Sequence, residues 1–296
     1  MRTCVIFNPT AKGDKARKFR RHLGEIGADA VLKQTRGVDD ARQLATEAVR
    51  EGFETIVAAG GDGTLNEVLN GIGDAPDGFK RARLGVLPLG TVNVFARELE
   101  IPRTLRLAWE TIRQGRETII DLPRVEFAVK EGRASRYFAQ LAGAGLDARA
   151  IELLNWPLKK RIGPLAYVVA GLSALMQPQS RITVNAGTQS ATGELVLIGN
   201  GRLYGGQFEI FPEADLRNGR LEVCVFPKVD WLTLARCATG LLWHRKLPLS
   251  AARNFQATVF TLTCPTAAAL EADGELIGHL PATFSIQKAV LRVIVP

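Results

Sequence analysis

Apolar and polar positions in the first third of the chain alternate between short continuous apolar runs and helical stripes. Val5–Phe7 is an apolar run, followed by the polar loop Asn8–Asp14 and a basic helical stretch. Ala30–Leu32 leads into a helix predicted over Val38–Arg50, where Val38, Ala41, Leu44, Ala45, Ala48 and Val49 share one face. Thr55–Ala59 is a second fully apolar strand, ending in Gly-Gly-Asp-Gly, and a helix beginning near Gly63 or Thr64 runs to about Asn70. Leu84–Leu87 is the next strand, and Pro88-Leu89-Gly90 turns the chain into a helix near Thr91–Leu99. Strand, loop and helix repeated in this way predict an α/β domain, a parallel sheet with helices on its faces.

Beyond Glu117 the rhythm changes. Thr118–Asp121, Val125–Val129, Tyr137–Ala142, Arg181–Val184, Glu194–Asn200, Phe208–Phe211, Leu221–Phe226, Thr258–Thr263 and Thr283–Ile286 are short segments bounded by Gly, Pro or Asn. They predict an antiparallel β-sandwich as a second domain. Two helices interrupt it, one with the stripe Leu165, Val168, Val169, Leu172, Leu175, Met176, the other with Trp231, Leu234, Ala235, Ala238, Leu241. The expected division is residues 1–118 and 119–289, with the last strand, Val290–Val295, able to join either domain.

Composition narrows the class. The 296 residues are 46% apolar and 23% charged, as in a soluble globular protein. Lys plus Arg exceed Asp plus Glu by 38 − 30 = 8, which favours anionic partners: nucleotides, nucleic acid or anionic lipid headgroups. No nucleic-acid module accompanies that charge, and aromatics are only 7%, so nucleic acid is set aside. Cys4, Cys224, Cys237 and Cys264 form no CxxC pair and read as reduced thiols. The opening residues run straight into a strand, which leaves no room for a signal peptide, and Ile162–Met176 is too short and interrupted to span a bilayer. The expected location is the cytoplasm.

Chemistry concentrates after the third strand. Gly60-Gly61 lets backbone approach a ligand, and the helix that follows directs free N–H groups and its positive dipole end into the turn, which suits a phosphate. Asp62 would repel a bare phosphate and makes sense there with a divalent cation or a hydroxyl between them. The alternative is structural: Thr64-x-x-Glu67 has capping-box spacing, and Asp62 or Thr64 would serve as an ordinary N-cap. The loops Asn8-Pro-Thr-Ala-Lys-Gly13 and Pro88-Leu-Gly-Thr-Val-Asn93 should open at the same sheet edge, where ligands of parallel sheets gather.

These residues carry a resemblance. Gly60-Gly-Asp-Gly-Thr-Leu-Asn-Glu-Val-Leu-Asn-Gly71 resembles the signature of the diacylglycerol kinase catalytic domain, shared by bacterial diacylglycerol and lipid kinases and by sphingosine and ceramide kinases; NAD kinases carry a shorter version. Asn8-Pro9, Leu87-Pro-Leu-Gly-Thr-Val-Asn-Val-Phe-Ala-Arg97, Asp121, Gly143-Ala-Gly-Leu-Asp147 and Asp273-Gly-Glu275 fit the same family, in order along nearly the whole chain. The resemblance implies an NAD-kinase-like α/β domain followed by a β-sandwich, and transfer of phosphate from ATP with Mg²⁺ to a lipid alcohol, diacylglycerol first. It implies ATP contacts from Asn8, Pro9, Thr10, Ala11, Lys12, Thr35, Gly61, Asp62, Gly63, Thr64, Leu65, Asn66, Glu67 and Thr91, with Asp62 organising Mg²⁺. It makes Glu275 the general base and Asp273 the competing candidate. By spacing alone, Asp273-Gly274 is equally a hairpin turn.

Two departures stand out. Val94 occupies a place where the family often has Asp, and Asn218, a poorer ligand, stands in a stretch resembling one where some members hold a structural Mg²⁺ through an Asp; the carbonyls of Asp215 and Arg220 and the Asp215 side chain remain available as ligands. They keep open a nucleotide- and lipid-binding regulator with little turnover, beside an NAD kinase-like enzyme. Lys12, Lys15, Arg17, Lys18, Arg20 and Arg21 crowd the first helix, and Trp156–Arg161 and Leu241–Lys246 place Trp beside basic residues. Such runs suit peripheral contact with an anionic membrane surface, or are solvated helix faces. A homodimer stays open.

Overall fold

The computed structural model describes residues 2–9, 14–153, 173–206, 208–240, 243 and 252–296. The first domain runs β1 (Thr3–Phe7), α1 (Asp14–Arg21), α2 (Leu23–Asp29), β2 (Val31–Gln34), α3 (Asp40–Arg50), β3 (Thr55–Gly60), α4 (Asp62–Asp74), α5 (Gly78–Arg81), β4 (Arg83–Pro88), α6 (Val94–Glu98) and α7 (Leu105–Gln114). Strands β2, β1, β3 and β4 lie side by side and parallel in that order. Every residue of β3 and β4 is buried, as expected of central parallel strands covered on both faces. Helix α3 begins at Asp40, so Val38 lies ahead of the apolar stripe and is 90% exposed. Its buried face is Ala41, Ala45, Ala48 and Val49, small enough to pack closely on α4.

The second domain continues with β5 (Glu117–Ala128), β6 (Arg133–Tyr137), β7 (Leu141–Gly145), α8 (Leu146–Glu152), β8 (Ile182–Ala186), β9 (Gln189–Gly193), β10 (Leu195–Gly199), β11 (Leu203–Tyr204), β12 (Phe208–Glu209), β13 (Leu221–Phe226), α9 (Trp231–Thr239), β14 (Arg253–Ala257), β15 (Val259–Thr263), β16 (Ala269–Ala272) and β17 (Glu275–Ile294). It is a β-sandwich. Phe138, Phe260 and Phe284 fill its interior, the last two stacked at 5.1 Å. A second apolar layer, with Leu141, Leu197, Cys224 and Phe226 from the strands and Leu146 from α8, covers the outer face of one sheet. The α9 stripe is phased differently from the expectation: Leu234 and Cys237 pack on this layer, whereas Trp231 and Ala235 face out. Most of the stripe expected over Leu165–Met176 falls outside the described residues. None of the four cysteines is in a disulfide, and Cys4 and Cys224 are buried.

Two segments expected as separate pairs are long single strands. Thr118–Asp121 and Val125–Val129 merge into β5, and Thr283–Ile286 and Val290–Val295 merge into β17. The two pair antiparallel from Ala128↔His279 to Glu117↔Ile294, and Val293 also pairs with Leu84 of β4. β17 therefore runs from the sandwich into the parallel sheet. The register shifts between Gln287 and Leu291, where Ala289 has φ 51°. Asp121, buried on β5, accepts hydrogen bonds there from Ala289 N at 2.7 Å and from Gly219 N at 2.6 Å. One carboxylate thus holds the bulge of β17 and the loop before β13. Asp121→Ala strands both donors, and we expect a loss of about 2–3 kcal/mol, read as a lower urea midpoint with an unchanged slope.

Candidate active site

The carboxyl ends of β1, β2, β3 and β4 share one edge of the sheet, and the predicted loops open there. Asn8 and Pro9 follow β1, and Thr35 follows β2, its N–H donating to Phe7 O at 2.9 Å. Thr10, Ala11 and Lys12 lie outside the described residues. Thr91 is exposed in the loop after β4.

The glycine loop and the loop after β4 touch backbone to backbone. A Cβ on Gly90 would stand 2.6 Å from Gly61 Cα, and the N–H groups of Leu89 and Gly90 both donate to Gly60 O. Asn93, with φ 53°, accepts from Gly90 N and donates to Gly90 O, so the second loop is closed on itself. Helix α4 starts at Asp62, ahead of the expected Gly63 or Thr64, with Gly61 as N-cap and no side-chain cap. The N–H groups of its first turn therefore face the edge without a side-chain acceptor.

Asp62 does not cap its own helix. Its Oδ1 accepts from Val94 N at 2.8 Å, at the start of α6, and so ties the two loops together. The residue that departs from the family pattern, Val94, takes part through its backbone. Burial raises the Asp62 carboxyl above the usual aspartate range, and the charge of Asp273 adds to this. Glu67 does not complete a capping box either. Its Oε2 accepts from Ala41 N at 3.1 Å and so serves the first turn of α3.

The second domain delivers the other half. The turn between β16 and β17 is Asp273-Gly274, both residues at positive φ, so the hairpin alternative is right about the backbone. Asp273 points inward: Oδ2 accepts from Ala139 N and Asn66 Nδ2, both at 2.7 Å, and Oδ1 from Gln140 N at 2.9 Å and Leu141 N at 3.2 Å. Asn66 is buried, and its Oδ1 accepts from Arg136 Nε at 2.8 Å. Both ends of its amide therefore bind protein groups. One helical turn on, Asn70 donates to Tyr137 O and accepts from Tyr137 N. The pair Asn66 and Asn70 locks α4 to the strand end of β6.

Glu275 stands differently. Its Oε2 accepts from Arg136 Nη2 at 2.8 Å, and its Oε1 lies 3.0 Å from where a Cβ on Gly63 would be. The side chain is 42% exposed, so this carboxylate reaches solvent directly over the first turn of α4. Burial raises it above the usual glutamate range, against the pull of Arg136. An accessible carboxylate with a raised pKa beside an uncapped helix N-terminus can take a proton next to a bound anion.

Arg136 is the functional residue the sequence did not offer. Within R-A-S-R-Y nothing distinguishes it from Arg133, and only the fold brings it between Asn66 and Glu275. The Asp215–Arg220 loop uses its own oxygens: Asp215 Oδ1 accepts from Arg217 N, Asp215 O from Asn218 N, and Asn218 Oδ1 from Arg220 N. No group of three or more His, Cys, Asp or Glu converges as a metal site among the described residues.

Comparison with known proteins matches both domains of the chain. The family described as Diacylglycerol kinase catalytic domain matches residues 2–125, and the YegS C-terminal NAD kinase beta sandwich-like domain matches residues 140–295. A diacylglycerol kinase of Staphylococcus aureus is 30% identical over 96% of this chain and 89% of its own length. One of Staphylococcus saprophyticus is 30% identical over 100% and 95%. The crystal structure of a diacylglycerol kinase from Bacillus anthracis, 21% identical, superposes with a TM-score of 0.78 over 100% of this chain and 97% of that one, a likeness of fold. With a full-length relative at this identity and both domains matched in order, the chain belongs to the diacylglycerol kinase catalytic-domain family of lipid kinases.

Proposed function

We propose that the protein transfers the γ-phosphate of MgATP to the hydroxyl of a membrane lipid, with diacylglycerol as the acceptor. The observation that carries this reading is the place of Glu275, held by Arg136 over the first turn of α4 with one oxygen free. Full-length relatives named diacylglycerol kinase support the choice of acceptor.

In this reading the nucleotide phosphates lie on the free N–H groups at the start of α4, where the helix dipole favours negative charge. Asp62 fits Mg²⁺ that arrives on the nucleotide: its carboxylate has acceptor positions beyond the bond from Val94 N, and Mg²⁺ is commonly held by one or two carboxylates plus phosphate oxygens. Held there by Asp62, such an ion would supply neutralisation of charge on the transferring group. The lipid hydroxyl approaches Glu275, which takes its proton as the oxygen bonds to the γ-phosphorus and the bond to the β,γ-bridging oxygen breaks, releasing ADP. Asp273 is disfavoured as base because four donors already occupy its oxygens.

No helix among the described residues is long and apolar enough to cross a membrane. Access to a lipid then falls to the surface. Trp231, Leu232, Ala235 and Arg236 lie on the exposed side of α9, an aromatic, aliphatic and basic set suited to the headgroup region. Trp156–Arg161 and most of Leu241–Lys246 lie outside the described residues, though Trp243 is exposed.

The deciding experiment is transfer from labelled ATP with Mg²⁺ into a total lipid extract separated by headgroup. A labelled phosphatidic acid band is expected; no labelled lipid, with ATP binding still detectable, would overturn the reading. Glu275→Gln should lower kcat by about 10²-fold or more and leave ATP affinity near wild type by calorimetry. Because Arg136 lowers the Glu275 pKa, Arg136→Gln raises it, and the acid limb of the kcat–pH profile should move to higher pH. Asp62→Ala removes the tie to Val94 N and the carboxylate for Mg²⁺, so the Mg²⁺ concentration for half-maximal rate should rise.

A further inference from the structure

A second pair of carboxyl groups lies beneath the turn and plays no part in the chemistry above. Glu271 on β16 is fully buried, and Asp147 on the first turn of α8 is partly buried with its Oδ2 shut away from solvent. Glu271 Oε1 and Asp147 Oδ2 lie 2.9 and 2.7 Å from the point where a Cβ on Gly143 would stand, so only glycine leaves room for them. Neither oxygen has a donor from any other group. Their outer oxygens are occupied: Asp147 Oδ1 accepts from Tyr204 OH at 3.2 Å, and Glu271 Oε2 accepts from Gly274 N at 2.9 Å.

Gly274 is the centre of the turn that carries Asp273 on one side and Glu275 on the other. Two acceptor-only carboxylates in a dry contact would repel, and one proton between them turns the contact into a strong hydrogen bond. We propose that Asp147 and Glu271 share one proton, and that this pair positions the Asp273–Glu275 turn through the Gly274 N–H. The shared proton rests on the two unpartnered buried oxygens that meet over Gly143, while the positioning role rests on the lipid-kinase reading above.

The groups facing the pair leave it acidic. Tyr204 approaches from β11 and Asp273 from the turn, and the charge of Asp273 adds to the cost of ionising Glu271. On α8, Arg149 is bonded to Glu152 and Gln177; on β17, Glu275 is bonded to Arg136; and Glu194, just before β10, accepts from Val229 N. Burial holds the acid form of the pair above the usual carboxylate range. A raised folded pKa contributes stability that is complete below the ordinary glutamate pKa and is lost as pH rises through the folded value.

The test uses the full chain. E271Q places an amide N–H where the shared proton sits and keeps an acceptor for Gly274, whereas E271M is similar in size and keeps neither. Melting temperatures from about pH 5 to about pH 9 should show E271Q gaining on wild type as pH rises, by about 3 °C or more. Phosphate transfer to diacylglycerol-containing vesicles should fall about tenfold or more in kcat for E271M with the ATP KM unchanged, and E271Q should recover most of that loss. E271Q should also move the alkaline limb of the kcat–pH profile upward. Parallel melting curves for wild type and E271Q would overturn the shared proton. Wild-type kcat in E271M would overturn the positioning role, as would loss of activity in E271Q equal to that in E271M. If E271M does not fold, D147N, whose amide can donate to Glu271, must show the same widening gap, and its absence overturns the pair. If wild type phosphorylates no lipid, the kinase reading and the positioning role fail together, and the melting curves still decide the proton.

Discussion

The Asp273 carboxylate is the point on which the cleft depends. It accepts three backbone N–H groups from the turn at Ala139–Leu141 and the side-chain amide of Asn66, which belongs to the other domain. A half-buried acceptor with four buried donors is expensive to disturb, because each donor left without it would also be left without water. The Asp273 bonds fix the β16–β17 turn against α4, and Glu275, two residues on, is thereby delivered to the start of that helix.

The electrostatics of the cleft run opposite to those of the chain. A protein with a net charge of +8 gathers Asp62, Asp273, Glu275, Glu271 and Asp147 around one turn and one helix end. Arg136 is the cation that answers them, bonded at once to Asn66 and Glu275. Crowded carboxylates in partial burial hold their protons harder than free ones, which makes each a stronger base than a free carboxylate. On the proposed function, phosphate binding in such surroundings would fall to backbone N–H groups, the helix dipole and a metal ion carried by the nucleotide.

The continuous strand β17 explains why the two domains meet so tightly. It begins at Glu275, pairs along nearly its whole length with β5, and ends beside β4 of the parallel sheet. The Asp273–Glu275 turn and the parallel sheet are thus joined by one strand. Asp121 secures the bulge where that strand changes register.

Much of this was legible in the residues themselves. Apolar runs at Thr55–Ala59 and Leu84–Leu87 read as strands buried on both faces, and loops after parallel strands share an edge, so the place of the glycine loops follows from local pattern. The passage from strand–helix alternation to short bounded strands marks the sandwich for the same reason. What local pattern does not hold is pairing at long range. Asp62 reads as a cap for its own helix and instead caps α6; Glu67 has capping-box spacing and instead serves α3; Asn66, one turn into α4, holds Asp273. Each side chain found its partner between 26 and 207 positions away, where backbone spacing carries no information. Arg136 and the Asp147–Glu271 contact are extreme cases, ordinary residues whose meaning comes from what folding packs against them. The sequence determined which segments become strands, helices and turns, because those depend on neighbours; only the tertiary structure decided which carboxylate is free to act, because that depends on which donors the fold has already given to the others.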